Sequence, residues 1–226
     1  MKKAKMQKID TIQNKINLLK QKRDAYTYRI KSSPNLQIYR KFIHLLLGAI
    51  ILLIGYFTYL YYGVGILIAI TFLCLIILIF IDFLRVECKI NFLLYNIFTK
   101  EKEKRNLHAL TFAFLAAVIA LTVYSFQIAL AALSMSIFSD GIAAIIGIKF
   151  GKHRIWNGKS IEGSIASLIV NLLIGYFILK AWYLFIPMAL VATLTELMIS
   201  HMDDNFVVPI FAGFIGQIIL LLISIY

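Results

Sequence analysis

Residues 42–59, FIHLLLGAIILLIGYFTY, run for 18 positions without a formal charge at neutral pH. Coiled as a helix at 1.5 Å per residue, such a run reaches about 27 Å, close to the ~30 Å of hydrocarbon in a bilayer. Backbone amides in hydrocarbon must pair within their own segment, so the run is expected to be helical. Comparable apolar runs follow at 64–81, 107–126, 128–148, 161–179, 181–199 and 206–226. The expected fold class is therefore all-α: a polytopic transmembrane helix bundle of about seven spans. Composition agrees, with 61% hydrophobic and 15% charged residues against roughly 45–50% and 25% in an ordinary soluble domain.

The net charge of +12 would suit nucleic acid, but its distribution argues against that partner. Of 23 Lys and Arg residues, 12 precede the first run, in residues 1–41. Residues 85–105 carry six more (Arg85, Lys89, Lys100, Lys102, Lys104, Arg105) and residues 149–160 carry four (Lys149, Lys152, Arg154, Lys159). The alternate connections, near Tyr61, Ser125 and Lys180, hold Lys180 alone. By the positive-inside rule the N-terminus and the basic loops are cytoplasmic, and an odd number of spans puts the C-terminus outside. Tyr59, Tyr61 and Tyr62 around Gly63 mark an interfacial turn.

Cys74 lies inside an apolar run and Cys88 in a basic linker, so no disulfide framework is expected. The charged first 41 residues show no cleavage pattern, and the first apolar segment is expected to remain as an anchor. Two parts follow: a basic N-terminal helical arm, 1–39, and a membrane domain, 40–226. Within the arm Ile9, Ile12, Ile16 and Leu19 recur at heptad spacing. They suit a helix lying on anionic lipid or pairing with a second copy as a homodimer, and equally a solvated basic arm. Phe83, Val86, Ile90, Leu93, Leu94 and Ile97 share one helical face, the pattern of an interfacial helix.

A carboxylate in hydrocarbon costs at least ~2.5–3.5 kcal/mol, so acids in or beside the runs need a partner or a task. The candidates are Asp82, Asp140, Glu162, Glu196, Asp203 and Asp204, nearly all at the cytoplasmic ends. Asp82 and Arg85, three apart, can also be read as a helical ion pair. The densest cluster begins at Ser139-Asp140 and runs to Ser164. Ala143, Gly147 and Gly151 form a stripe of small residues there, open to a second helix or to a ligand. Asp140 facing the basic loop suits Mg²⁺ and a polyphosphate, and the start of the fifth run offers helix N–H groups to anionic oxygens. Gly158-Lys159-Ser160 is not a Walker A loop, because His153 stands where its first glycine belongs and no soluble strand precedes it. Glu196 and Asp203, seven apart, would share a helical face if that helix extends so far. Adjacent Asp203 and Asp204 suit an oxygen-ligated cation, or simply a solvated acidic turn. Arg40 and Lys41, with His44 one turn on, read either as topology anchors or as ligands. His108, His153 and His201 form no zinc pattern.

Arg40-Lys41-x-x-His44, Asp140-Gly-x-Ala-Ala-x-x-Gly147, Phe150-Gly-Lys152, Lys159-Ser-x-Glu162-Gly-Ser164, Glu196 and Asp203-Asp-Asn205 with Pro209 together resemble the dolichol kinase and phytol kinase family. That family includes CTP-dependent diacylglycerol kinases. The resemblance runs from about Arg40 to the C-terminus. It implies a CTP-dependent kinase with a divalent metal, Mg²⁺, that phosphorylates the hydroxyl of a membrane lipid alcohol, a polyprenol or dolichol or a phytol or geranylgeraniol type, at the cytoplasmic face. On that pattern Asp140, Glu162 and Glu196 would be catalytic. Gly151, Lys152, Lys159, Ser160, Arg40, Lys41, His44 and Asn205 would bind nucleotide, and Asp140, Asp203 and Asp204 the metal. One departure lies in the stretch Asn106-Leu-His-Ala-Leu-Thr111, where members often have Gly-Thr and only Thr111 matches. The related CDP-lipid synthases have a Lys-Asp pair and a Pro-Gly-His-Gly-Gly signature that this chain lacks, which favours kinase over cytidylyltransferase. The rivals from other classes are a transporter, whose acids should stack through the membrane, and a scaffold paired through the N-terminal heptads.

Overall fold

The computed structural model describes residues 34–87, 108–155, 158–199 and 202–225. The N-terminal heptads, Cys88, His201 and most of the expected interfacial helix lie outside these residues. Only Phe83 and Val86 of that helix are described, and both belong to α1. By contacts the chain divides after Arg40, and the unit Lys41–Tyr226 holds the bundle and the site described below.

Among the described residues the regular structure is helical throughout. The helices are α1 (Pro34–Val86), α2 (Ala109–Val123), α3 (Phe126–Phe150), α4 (Ile161–Leu179), α5 (Trp182–Met198) and α6 (Asp204–Ile225). α1 is broken at Gly63, whose φ of 80° and ψ of 175° are open to glycine and costly for other residues. The chain folds back there. A Cβ on Gly55 would lie 3.7 Å from Leu67 Cδ1, whereas twelve residues of straight helix would separate them by about 18 Å. The aromatic turn expected at Gly63 is thus a break between two helical arms, each longer than its apolar run.

Among the described residues four helices, Gln37–Val86, Phe126–Phe150, Ile161–Leu179 and Asp204–Ile225, are long and apolar enough to cross a membrane. α2 and α5 are shorter than the runs at 107–126 and 181–199 that predict them, with 15 and 17 residues. The reason for α2 lies at its ends. His108 caps the start by accepting from the Leu110 amide, 3.2 Å, and Tyr124 leaves the helix in extended conformation. The Tyr124 hydroxyl donates to the Ile210 carbonyl, 2.8 Å, with its ring against Gly213 of α6.

α3 is the central helix. Ile128, Ala129, Ala132 and Met135 on α3 meet Met188, Ala189 and Ala192 on α5 and Val208 and Ala212 on α6, all buried. Small side chains dominate this contact, as where helices associate by close packing rather than by expulsion of water. The first arm of α1 runs antiparallel to α3: Tyr59 stacks on Phe126, Gly48 abuts Ile137, Gly141 abuts Leu45, and Lys41 reaches Asp140. Polar residues lie inside and apolar ones outside. Ser134, Ser139, Ser167, Asn171 and Glu196 are buried, while Leu53, Phe57, Phe80, Phe177 and Trp182 are exposed. Water would leave so large an apolar surface unsatisfied; hydrocarbon suits it.

The glycines test the packing. A Cβ at Gly213 would collide with the Tyr124 ring, whereas one at Gly65 meets nothing within 4 Å. Gly213→Val is expected to destabilise the bundle by about 1–3 kcal/mol, and Gly65→Ala to be neutral or to stabilise by about 0.5–1 kcal/mol. Thermal unfolding of the purified protein in detergent measures both.

Candidate active site

The site forms where the end of α3 crosses the start of α4. The small-residue stripe of α3 is occupied by α4 itself: a Cβ on Gly163 would stand 2.8 Å from the Ala143 carbonyl oxygen, and one on Gly147 3.0 Å from Ser160 Oγ. At Gly151 a Cβ would strike the Gly147 carbonyl. Close approach of two helices therefore accounts for these residues. The connecting loop closes as a narrow hairpin, with Arg154 and Ser160 bridged antiparallel and the Ile155 amide donating to the Lys159 carbonyl at 2.9 Å. Gly158, at φ 76°, makes the turn possible. Arg154 braces it, donating to the Gly158 carbonyl at 2.7 Å and the Gly147 carbonyl at 3.4 Å.

Ser160 is the N-cap of α4 and accepts from the Gly163 amide at 3.1 Å, while the Ile161 amide donates to the His153 carbonyl at 2.9 Å. These amides are the ones that an anion at the helix N-terminus would use. The Ile161 and Gly163 amides are thus satisfied within the chain. Ser160 is a buried cap, 3% exposed.

The hairpin throws Lys159 across to α5 and α6. Its Nζ donates to the Glu196 backbone carbonyl and to Asp204 Oδ2 at 3.1 Å, and stands 4.0 Å from Glu196 Oε1. On the other side Lys41 Nζ donates to both carboxylate oxygens of Asp140, at 2.5 and 2.7 Å. Between these pairs lies a cavity of about 150 Å³ lined by Asp140, Ala143, Ala144, Gly147, Arg154, Lys159, Ser160 and Glu196, among others. Asp140, Glu196 and Asp204 come from three helices and are close enough for each to feel the others' charge. Glu196 is the most enclosed: Oε2 accepts from Ser167 Oγ at 2.7 Å and Ser139 Oγ at 3.4 Å.

Several residues expected at the site stand elsewhere. Glu162 turns from the cavity to the hairpin, where its carboxylate accepts from the His153 amide at 3.3 Å and meets the imidazole Nδ1 at 2.8 Å. Lys152 is exposed and does not line the cavity, nor does Gly151 beside it. His44 is half-buried one turn after Lys41 on α1, and Arg40 precedes Lys41 on the same helix. Asp203 and Glu196 do not share a helical face, because α5 ends at Met198 with Ile199 extended. Asp203 instead stands immediately before α6, accepting from the Asn205 amide at 3.0 Å and the Asn205 side chain at 2.8 Å. Asp140, Asp203 and Asp204 are thus held by Lys41, by the start of α6 and by Lys159. Among the described residues no three His, Cys, Asp or Glu side chains gather closely enough to hold a metal ion by themselves.

Four residues of the site carry no role in the motif pattern: Arg154 on the cavity wall, and Ser139, Ser167 and Asn171 behind Glu196. A sequence signal for the last two exists, since Ser160, Ser164, Ser167 and Asn171 recur every three or four residues along an otherwise apolar helix. A second polar cluster joins α1 to α2. Asp82, fully buried, accepts from Thr111 Oγ1 at 2.6 Å and the His108 amide at 2.9 Å, and pairs with Arg85 at 3.0 Å. The expected i,i+3 ion pair is present, and Thr111 serves this staple.

Comparison of the chain with protein-family models, with curated proteins and with solved structures finds no match.

Whether Asp203 caps a helix can be tested by exchange. Asp203→Ala should cost about 0.5–2 kcal/mol of stability, and Asp203→Ser should recover most of it, because serine also caps. Thermal unfolding gives the ranking; equal losses in both variants would remove the capping role.

Proposed function

We propose that the protein is a polytopic membrane enzyme, a CTP-dependent kinase that transfers the γ-phosphate to the hydroxyl of a lipid alcohol of the polyprenol, dolichol, phytol or geranylgeraniol kind. The observation that carries this reading is the cavity where Asp140, Lys159 and Glu196 meet with Lys41 and Arg154 beside them. Phosphoryl transfer requires positioning and charge neutralisation more than covalent chemistry, and a cation-rimmed pocket with carboxylates supplies both. The motif pattern that resembles the lipid alcohol kinases supplies the choice of CTP and of the acceptor. The two arms of α1 and the five later helices would make seven spans, with the basic loops and the cavity at the cytoplasmic surface and the C-terminus outside.

In this mechanism Lys159, Lys41 and Arg154 hold the phosphates, with Lys152 outside the inner ring. The hydroxyl proton of the lipid passes to the Glu196 carboxylate, the hydroxyl oxygen bonds the γ-phosphorus, and the bond from that phosphorus to the bridging oxygen breaks, releasing CDP. Glu162 is the weaker candidate for the base, since its carboxylate is engaged by His153 outside the cavity. The residues fit a divalent cation carried in on the nucleotide, because Mg²⁺ takes one or two protein carboxylates and completes its shell with phosphates and water. Asp140 and Asp204 would hold it, and when bound it would neutralise charge on the phosphates.

Purified protein in lipid vesicles, given CTP labelled at the γ-phosphate with polyprenols, phytol-like alcohols and diacylglycerol, is expected to label an isoprenoid alcohol. Label confined to diacylglycerol would change the acceptor, and label in no lipid, with the protein folded, would end the kinase reading. Asp140→Asn and Lys159→Met should each lower transfer by about 100-fold or more per folded molecule, the equivalent of ~3 kcal/mol in the barrier, with thermal unfolding used to fix the folded fraction. For topology, single cysteines at positions 152 and 203 in a background lacking Cys74 and Cys88 should react with an impermeant reagent from the same side. Reaction from opposite sides would rule out the shared pocket.

A further inference from the structure

Behind Glu196 a line of polar side chains runs into the bundle, away from the cavity. Ser167 Oγ donates to Glu196 Oε2 at 2.7 Å. Asn171, one turn further along α4, directs its Nδ2 toward Ser167 Oγ at 3.5 Å and donates to Thr193 Oγ1 at 3.1 Å. Ser167 and Asn171 are wholly buried, and Asn171 Oδ1 has no hydrogen-bond partner. A buried amide with an unmet acceptor is costly, and an apolar residue would pack there more cheaply. The other end of the amide faces Ser167 Oγ, whose hydroxyl donates in turn to the carboxylate. Ser139 approaches the same oxygen from α3, at 3.4 Å. Among the described residues both side-chain hydrogen bonds to Glu196 fall on Oε2, while Oε1 stands 4.0 Å from Lys159 Nζ and Glu196 lines the cavity.

We infer that Ser167 and Asn171, supported by Ser139, are positioning residues: they anchor one oxygen of Glu196 so that the other is presented to the acceptor hydroxyl. The inference rests on the kinase reading and assigns residues that the motif pattern leaves without a role. Because the three act through Glu196 and not on the nucleotide, their loss should appear in kcat and not in KM for CTP. Because Asn171 acts through Ser167, the two losses should not add.

The experiment is steady-state transfer in vesicles by the full chain and by Ser167→Ala, Asn171→Leu and the double variant, with CTP binding measured separately by equilibrium dialysis. The expected result is a fall in kcat of about ten-fold or more for each single variant, a double variant no slower than Ser167→Ala, and CTP affinity within about two-fold of the parent. Asn171→Leu keeps the side chain's volume, and Ser167→Thr, which keeps the hydroxyl, should retain more activity than Ser167→Ala. Losses that multiply in the double variant, losses confined to KM, or Thr and Ala equally impaired at position 167 would each overturn the inference while leaving the kinase standing. No transfer by the unsubstituted chain would overturn the kinase reading, and this inference with it.

Discussion

Carboxylates inside an apolar bundle must find partners, and in this chain the partners tie one element to another. Lys41 holds Asp140 and so joins α1 to α3; Lys159 holds Asp204 and stands by Glu196, joining the hairpin to α5 and α6. Asp82, with Arg85 beside it, ties the end of α1 to the start of α2 through Thr111 and His108. Each uncompensated charge would cost several kcal/mol in such surroundings. A buried ion pair adds little net stability over apolar packing, but breaking one is severe. These pairs therefore select a single arrangement of helices whose apolar surfaces could slide past one another.

The Lys159 contacts depend on how closely α3 and α4 approach. With side chains larger than glycine at positions 147, 151 and 163, the two helices would stand apart, and the hairpin between them could not fold back under the bundle. The N-terminal cap follows from the same approach, since Ser160 Oγ lies against Gly147 while it accepts from Gly163. Packing, cap and the reach of one lysine are thus consequences of one crossing. The glycine and serine spacing from Gly147 to Gly163 therefore has a structural reason in this crossing.

The helices were legible in the sequence because an apolar run of membrane length has few other structures open to it. The break at Gly63 was legible from its aromatic flanks, and the gathering of Asp140 and Lys159 from their place at one end of the runs. Less legible was which charge goes where. Spacing put Glu162 beside the glycines of the loop but could not show its carboxylate turned to His153, because that depends on the hairpin's twist. Glu196 and Asp203 look like one helical face when counted by sevens, and the extended Ile199 removes it. Asp203 reads as half of an acidic pair; its position just before α6 makes it a cap. Side-chain direction at helix ends is set by tertiary contacts that a one-dimensional pattern does not contain.

A pocket whose cations are already engaged behaves differently from one lined by free lysines. An incoming phosphate at this cavity must compete with Asp140 for Lys41 and with Asp204 for Lys159, so part of its attraction is spent in releasing carboxylates. Those carboxylates do not then stand uncompensated if a cation arrives with the phosphate. The exchange would replace internal ion pairs by two new sets, lysine with phosphate and carboxylate with metal. An anion that brings no cation would strand Asp140 and Asp204, whereas a metal-bound polyphosphate satisfies every group. If the proposed reaction is the right one, the nucleotide and its metal would therefore have to enter this cavity together.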